Sequence, residues 1–240
     1  MPDIYNEIKK RAFDTINKDL LDTKITVKAR ALSTEEAIGN PESDDFPLMK
    51  GKERLMHAEL DGAAGQAFTD QYGDFEGTLK DILESDLSNN YRRAIFIASL
   101  NAALRHMGLA EGTIHCRDKE PGECAVQLVE HIKSKYGSPK ITQIGFQPKF
   151  VEEVSASFDL RVVDLDKDNI GTKKYNTLIE GPDKTEEAIE WADLLLVTGT
   201  TIVNGTIEQF LNKKPVLFYG TTIAAVAHLM GWDRFCAKGR

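Results

Sequence analysis

The sequence predicts an α/β protein in which a Rossmann-like parallel-sheet domain follows a smaller α+β domain. Three observations carry this prediction. From Ala125 onward, apolar strand-like runs alternate with helical stretches, the pattern of a parallel sheet covered by helices. Those runs are continuous, as in LLLV at 194–197 and VLFY at 216–219, which suits strands buried on both faces. Finally, Ala94–Leu104 (AIFIASLNAAL) is apolar on nearly every side, so its helix is buried all round.

Taken in order, Ile4–Leu20 spaces Ile4, Ile8, Ala12, Phe13, Ile16 and Leu20 as one face of an amphipathic helix. Lys24–Leu32 alternates like a half-buried strand, and Leu32–Gly51, with Gly39-Asn40-Pro41 and Pro47, reads as a loop. Arg54–Leu60 reads as a second strand, and the glycines at 62–65 as a turn leading to a polar tip at Gln66–Asp70. Leu79–Leu87 suits a short helix, and Ser88-Asn89-Asn90 can cap the apolar helix Arg92–Met107, which Gly108 ends. Gly112–Glu123 is polar and turn-rich and reads as a linker. Then come helix Ala125–Lys135, strand Lys140–Gly145, helix Lys149–Phe158 and strand Leu160–Leu165. A long connection through Glu180-Gly181-Pro182 leads to helix Thr185–Ala192, strand Leu194–Thr198, helix Gly205–Leu211, strand Pro215–Tyr219 and helix Ile223–Met230. The expected division is 1–110, including the buried helix at 92–107, a linker at 111–124, and 125–240.

Composition bounds the function. A chain of 240 residues makes one large domain or two modest ones. Thirty basic against 38 acidic residues, a net charge of −8, argue against affinity built on neutralising nucleic-acid or membrane phosphates. The apolar stretch at 94–104 falls far short of the ~20 residues that span a bilayer. The N-terminal stretch, amphipathic and mixed in charge, does not read as a signal peptide. Three cysteines, an odd count, suit a reducing cytoplasm better than a disulfide framework.

Ligands of open parallel sheets sit beyond the carboxyl ends of the strands. Four turns therefore supply candidates: Gly145-Phe146-Gln147, Asp164, Thr198-Gly199-Thr200-Thr201 with Asn204-Gly205, and Gly220-Thr221-Thr222. Two consecutive strands ending in Gly-Thr-Thr is the sharpest pattern in the chain. Glycine permits close backbone approach, and amides and hydroxyls offer hydrogen-bond donors. Both turns also suit plain helix capping. Asp164 follows Gly145 by nineteen residues, near the spacing of a ribose-binding acid, but the intervening turn lacks the later glycines of GxGxxG and carries Phe146 and Pro148. That argues against NAD as the ligand. No Walker motif, nucleophile elbow or HExxH is present, and no residue is assigned a catalytic role. Thr69 and Asp70 from the N-terminal half, and Asn101 from the buried helix, are candidates for the same cleft.

His115, Cys116 and Cys124 share one polar segment, HCRDKEPGEC, and offer donors suited to zinc, copper or iron. Their eight-residue cysteine spacing is not that of a zinc finger, and ordinary structural cysteines fit it as well. Cys236 joins them only if the fold brings it there.

The stretches HAELDGAAGQAFTD, RAIFIASLNAALRHMGL, TIHCRDKEPGECA, IGFQPKFVEEV, ADLLLVTGTTIVNGTIEQFL and PVLFYGTTIAAVAHLMG resemble the heavy-metal chelation domain family, from about Lys52 to the end. The resemblance implies a domain like the enolase N-terminal fold joined to a Rossmann-like domain, with the active site in the cleft between them. It implies handling of a transition metal or a metal-containing cofactor, with Gly199, Thr200, Asn204, Gly205 and Gly220 forming the cleft and His115, Cys116 and Cys124 as ligands. The alternative is a metal-independent protein for a small phosphorylated or carboxylated metabolite. A small molecule or metal is the expected partner, nucleic acid and membrane are not, and a homo-oligomer is left open.

Overall fold

The computed structural model describes residues 3–28 and 53–240. Two sheets organise the chain. The first is antiparallel, four-stranded, in the order β3-β2-β1-β4: β1 (Lys24–Lys28), β2 (Arg54–Leu60), β3 (Ala63–Thr69) and β4 (Phe75–Thr78). The loop expected at 32–51 lies outside the described residues. Strands β2 and β3 form a hairpin whose turn is Asp61-Gly62, both at positive φ, as a two-residue hairpin requires. The turn therefore comes earlier than the glycine run suggests, and Gly65 lies inside a strand.

Helix α1 (Ile4–Thr15) stops short of the single helix expected to Leu20. The chain extends at Ile16 and Asn17 before a one-turn α2 (Lys18–Leu21). Helix α3 (Leu79–Glu84) opens on a capping box between Thr78 and Asp81. Helix α4 (Asn90–His106), capped by Asn89, buries every residue from Ala94 to Leu104. Its lack of a polar face follows from its position. Strand β3 crosses it so closely that a Cβ on Gly65 would overlap Ala98 O and Ala102 N and lie 2.6 Å from Asn101 Cβ.

The second sheet has seven strands: β5 (Ile141–Ile144), β6 (Leu160–Val163), β7 (Lys173–Lys174), β8 (Thr177–Glu180), β9 (Leu194–Thr198), β10 (Val216–Tyr219) and β11 (Arg234–Phe235). The spatial order is β11-β10-β9-β5-β6-β8-β7, parallel throughout except for the edge pair β7–β8. Chain order reverses between β5 and β9, the switch point where parallel sheets open a crevice. Side chains alternate across the sheet. Leu194 and Leu196 face a core formed with α5 (Glu120–Tyr136) and α6 (Pro148–Ser155). Leu195 and Val197 face the larger core shared with α1, α4, α7 (Thr185–Trp191) and α9 (Ala224–Met230). One continuous core thus joins the two sheets.

In the second half, too, elements differ from the sequence-based expectation. Helix α5 begins at Glu120 inside the segment read as linker, with Pro121 in its first turn and Glu120 and Glu123 at its positive end. The connection before α7 contains β7 and β8. In place of the helix expected at Gly205–Leu211 there is a 3-10 turn at Ile207–Phe210, preceded by a short helix α8 (Thr201–Asn204) that the left-handed Gly205 ends. Among the described residues no helix is long and apolar enough to cross a membrane.

Candidate functional site

A cavity of about 750 Å³ opens at the carboxyl ends of the parallel strands. The fold brings the two Gly-Thr-Thr turns together there because β9 and β10 are neighbours. The glycines have different reasons. A Cβ on Gly199 would lie 2.8 Å from Ile223 N and Cβ, so Gly199 lets one turn pack on the other rather than on a ligand. Gly220 adopts φ +91° with open space around it, so its conformation alone selects glycine.

The threonines divide their work. Thr201 Oγ1 donates to Thr198 O at 2.7 Å and closes its own turn, whereas Thr222 Oγ1 accepts Phe68 N–H at 3.2 Å from strand β3. Thr221 Oγ1 is buried with no partner among the described residues. The backbone amides of Thr201, Thr221 and Thr222 meet no acceptor among the described residues. Thr198 and Thr200 line the cavity with their hydroxyls 3.3 Å apart.

Asn101 does not line the cavity. It is fully buried and joins the two sheets: its Nδ2 donates to Gln66 O at 2.9 Å, Thr222 O at 3.1 Å and Thr221 O at 3.2 Å, and its Oδ1 accepts Ala225 N–H at 2.8 Å. Its role is to hold the second Gly-Thr-Thr turn against β3. Gly205 is also absent from the lining and faces the Arg93 guanidinium, 3.4 Å from where a Cβ would be.

The turns after β5 and β6 are fixed by Asp164. Its Oδ2 accepts Phe146 N–H at 2.6 Å and its Oδ1 accepts Asp166 N–H at 2.7 Å. Both carboxylate oxygens are engaged in the turns, although Asp164 stands at the cavity edge. Gly145 adopts φ +88° beneath Thr198, whose Cγ2 would be 2.7 Å from an added Cβ, and Phe146 is buried. Gln147 lines the cavity while its side chain caps α6 through Phe150 N–H. This turn has no open glycine track for a pyrophosphate. From the antiparallel side, Phe68, Thr69, Asp70 and Glu53 complete the wall. Asp70 accepts a bond from Asn90 at 2.7 Å, and Thr69 bonds within its own turn. Burial and the neighbouring carboxylates of Asp164, Asp70 and Asp166 push Glu53 up to about 7. Nothing in the sequence around Glu53 marked it.

The soft donors converge on the same cavity. His115, Cys116, Cys124 and Cys236 all line it, and all three thiols are free. Cys236 directly follows β11, a two-residue strand that sequence periodicity could not register. The backbone N–H groups of Ala237 and Lys238 reach Cys124, which places it against the segment that carries Cys236. Burial, then the charges that Cys236 and Cys124 would carry, raises the Cys116 thiol well above its ordinary range. Burial lifts Cys124 to about 11, and it also raises Cys236, against the pull of Arg234. Burial lowers His115, which favours its neutral form. Among the described residues no three of His, Cys, Asp and Glu stand together as a closed metal site would require. The donor types fit a soft metal; the arrangement is not a complete cage.

The profile of the family DUF364, described as "Putative heavy-metal chelation", matches residues 127–227. No curated protein matches the chain. Two solved structures share the fold. A DUF364 protein of unknown function from Pyrococcus horikoshii is 16% identical with a TM-score of 0.56, over 91% of this chain and 79% of that one. Another from Desulfitobacterium hafniense DCB-2 is 13% identical with a TM-score of 0.54, over 95% of this chain and 83% of that one. Residues 127–227 thus match the DUF364 profile, and the fold is similar to that of two DUF364 proteins over more than nine-tenths of the chain.

Proposed function

We propose that the chain binds a metal-bearing organic cofactor, as cargo or substrate, in the cavity between its two sheets. One observation carries the reading: an imidazole and three thiols share a single 750 Å³ cavity with both Gly-Thr-Thr turns. A bare ion needs ligands about 2.0–2.3 Å away and little else, whereas a cavity of this size belongs to the range that encloses organic molecules. The incomplete donor set has the same sense. The protein supplies some soft ligands, and the organic part of the cofactor brings the others. The turns, with unpartnered amides and the cavity-lining hydroxyls of Thr198 and Thr200 but no soft donor, hold that organic part. The heavy-metal chelation in the family's description supports the metal part of this reading. On this reading the domains are 1–110, like the enolase N-terminal fold, and a Rossmann-like 125–240, joined through 111–124, and the thiols stay free in a reducing cytoplasm.

Elemental analysis of protein purified without oxygen, followed by titration with cobalt(II), tests the proposal. Wild type is expected to bind about one equivalent, and the double variant Cys116→Ser/Cys124→Ser to lose it. The unpartnered amides at Thr201, Thr221 and Thr222 favour a second reading, a phosphorylated or carboxylated metabolite bound without metal. Absence of bound cobalt, with phosphate ordered against Gly199–Thr201 in a crystal, would overturn the first reading in favour of the second. Thr200→Ala and Thr221→Ala without effect on either ligand would reduce the turns to caps.

A further inference from the structure

We infer that His115 presents an unprotonated Nε2 to the cavity and that Gln66, on strand β3, is the positioning residue that holds it there. The inference deepens the proposed function and rests on that reading for the identity of the ligand, but not for the geometry.

The tautomer follows from the hydrogen bonds. His115 Nδ1 lies 2.6 Å from Cys116 O. A carbonyl oxygen only accepts, so Nδ1 carries the proton, and in a neutral ring Nε2 then bears the lone pair. Phe68 packs edge-on against the ring at 5.2 Å between centroids and fixes its plane. Nε2 has no partner among the described residues and is not among their sealed, unpaired polar atoms, while His115 lines the cavity. A ring nitrogen oriented by a carbonyl on its other side is the arrangement that metal-ligating histidines use.

Gln66 sets where this ring stands. Its Oε1 accepts His115 N–H at 2.7 Å. That N–H can only donate, so the amide orientation is dictated, and Nε2 of Gln66 faces His57 Nδ1 at 3.2 Å. The backbone of Gln66 is held as firmly: its N–H donates to Thr113 O at 3.0 Å and its carbonyl accepts from Asn101. His57 in turn approaches Glu59 at 3.3 Å on the outer side of the sheet. A short run of directional bonds therefore leads from the surface of the antiparallel sheet to the cavity wall, and it reaches His115 through the acceptor oxygen of Gln66.

Three variants separate positioning from bulk structure. Gln66→Glu keeps an acceptor toward His115, and His57 can turn its Nδ1 into the donor. Gln66→Met keeps the volume and loses the acceptor. His115→Ala keeps that backbone N–H and removes the imidazole itself. In ligand-free protein, nitrogen-15 spectra of the histidine rings should show His115 protonated on Nδ1 in wild type; a proton on Nε2 overturns the inference. Cobalt(II) affinity should fall about 10–100-fold in Gln66→Met, the usual effect of removing an outer-shell partner, and should be restored in Gln66→Glu. Wild-type affinity in Gln66→Met, or equal losses in both variants, overturns the positioning role. Diethyl pyrocarbonate, which acylates an unprotonated ring nitrogen, reads the same arrangement without metal. His115 should react in wild type and in Gln66→Glu and slow several-fold in Gln66→Met. Equal rates in all three overturn the positioning role whether or not cobalt binds, so failure of the metal reading and failure of this one remain distinct.

Discussion

Asn101→Ala should be among the most damaging single substitutions in the chain, although Asn101 touches no ligand space. Its amide serves three carbonyls and one N–H, all buried. Thr221 O keeps a second donor, Ala224 N–H at 3.1 Å. Ala225 N–H and Thr222 O have no other partner among the described residues. Each buried group left unpaired costs about 1–3 kcal/mol, so two cost roughly 2–5 kcal/mol after partial relaxation. The truncated side chain adds a small cavity to that figure. For a domain of this size each kcal/mol moves the melting midpoint by about 2–4 °C, which gives a fall of roughly 4–20 °C. Urea denaturation of wild type and variant measures it directly: the midpoint should drop with the slope unchanged. A loss below about 1 kcal/mol would show that the Gly220–Thr222 turn does not depend on the amide, and the account of how the two sheets are joined would fail.

Two further outcomes follow from the same packing and charges. Gly65→Ala places a methyl against the α4 backbone at Ala98 and Ala102, which cannot move aside as a flexible side chain could; the loss should reach about 3 kcal/mol, the upper end for overpacking, and a melting midpoint within 2 °C of wild type would refute the close crossing. Glu53 has its folded value raised from the ordinary carboxylate range to about 7, so the folded state keeps the proton longer and wild type loses stability as pH rises from about 4.5 through 7. Glu53→Gln should therefore match wild type in thermal melts near pH 4 and exceed it at pH 8, whereas equal melts at both would mean the carboxylate is not confined by its neighbours.

The sequence shows this architecture wherever the signal is local and long. Alternating apolar runs mark β5, β6, β9 and β10, and a helix without a polar face marks α4, because burial on all sides leaves no room for charge. The paired turns after β9 and β10 were legible as a repeated Gly-Thr-Thr. What escaped has short or non-local causes. Strands β7 and β11 have two residues each, too few for a period to appear. Gly199 reads as room for a ligand, but the room is taken by Ile223 from the next turn, a contact no spacing records. Cys236 gains its meaning only when β11 pairs with β10 and carries it to the cavity. Gln66 looks like a loop-tip residue until the hairpin turn is placed at Asp61-Gly62 rather than at Gly65.

The cavity wall also shows why the parallel sheet alone is not the site. Five bonds from the N-terminal half reach the segments that follow β9 and β10: Tyr5 OH donates to Ile202 O at 2.7 Å, Arg93 Nε to Val203 O at 2.6 Å, Phe68 N–H to Thr222 Oγ1, and Asn101 to both carbonyls of Thr221-Thr222. A switch-point crevice ordinarily owes its shape to its own strands and glycines. Here the Gly220–Thr222 turn is held by β3 and α4, and α8, which follows Gly199-Thr200, is held by α1 and α4, while His115 is tied to β3 through Gln66. A ligand seated against these turns would be sensed on both sheets at once, since any shift of β3 moves Thr222 and His115 together. The coupling lies in the directional bonds rather than in apolar contact, which slides at low cost. Substitutions that break them should therefore weaken ligand binding by loosening both walls, even where the cavity lining itself is untouched.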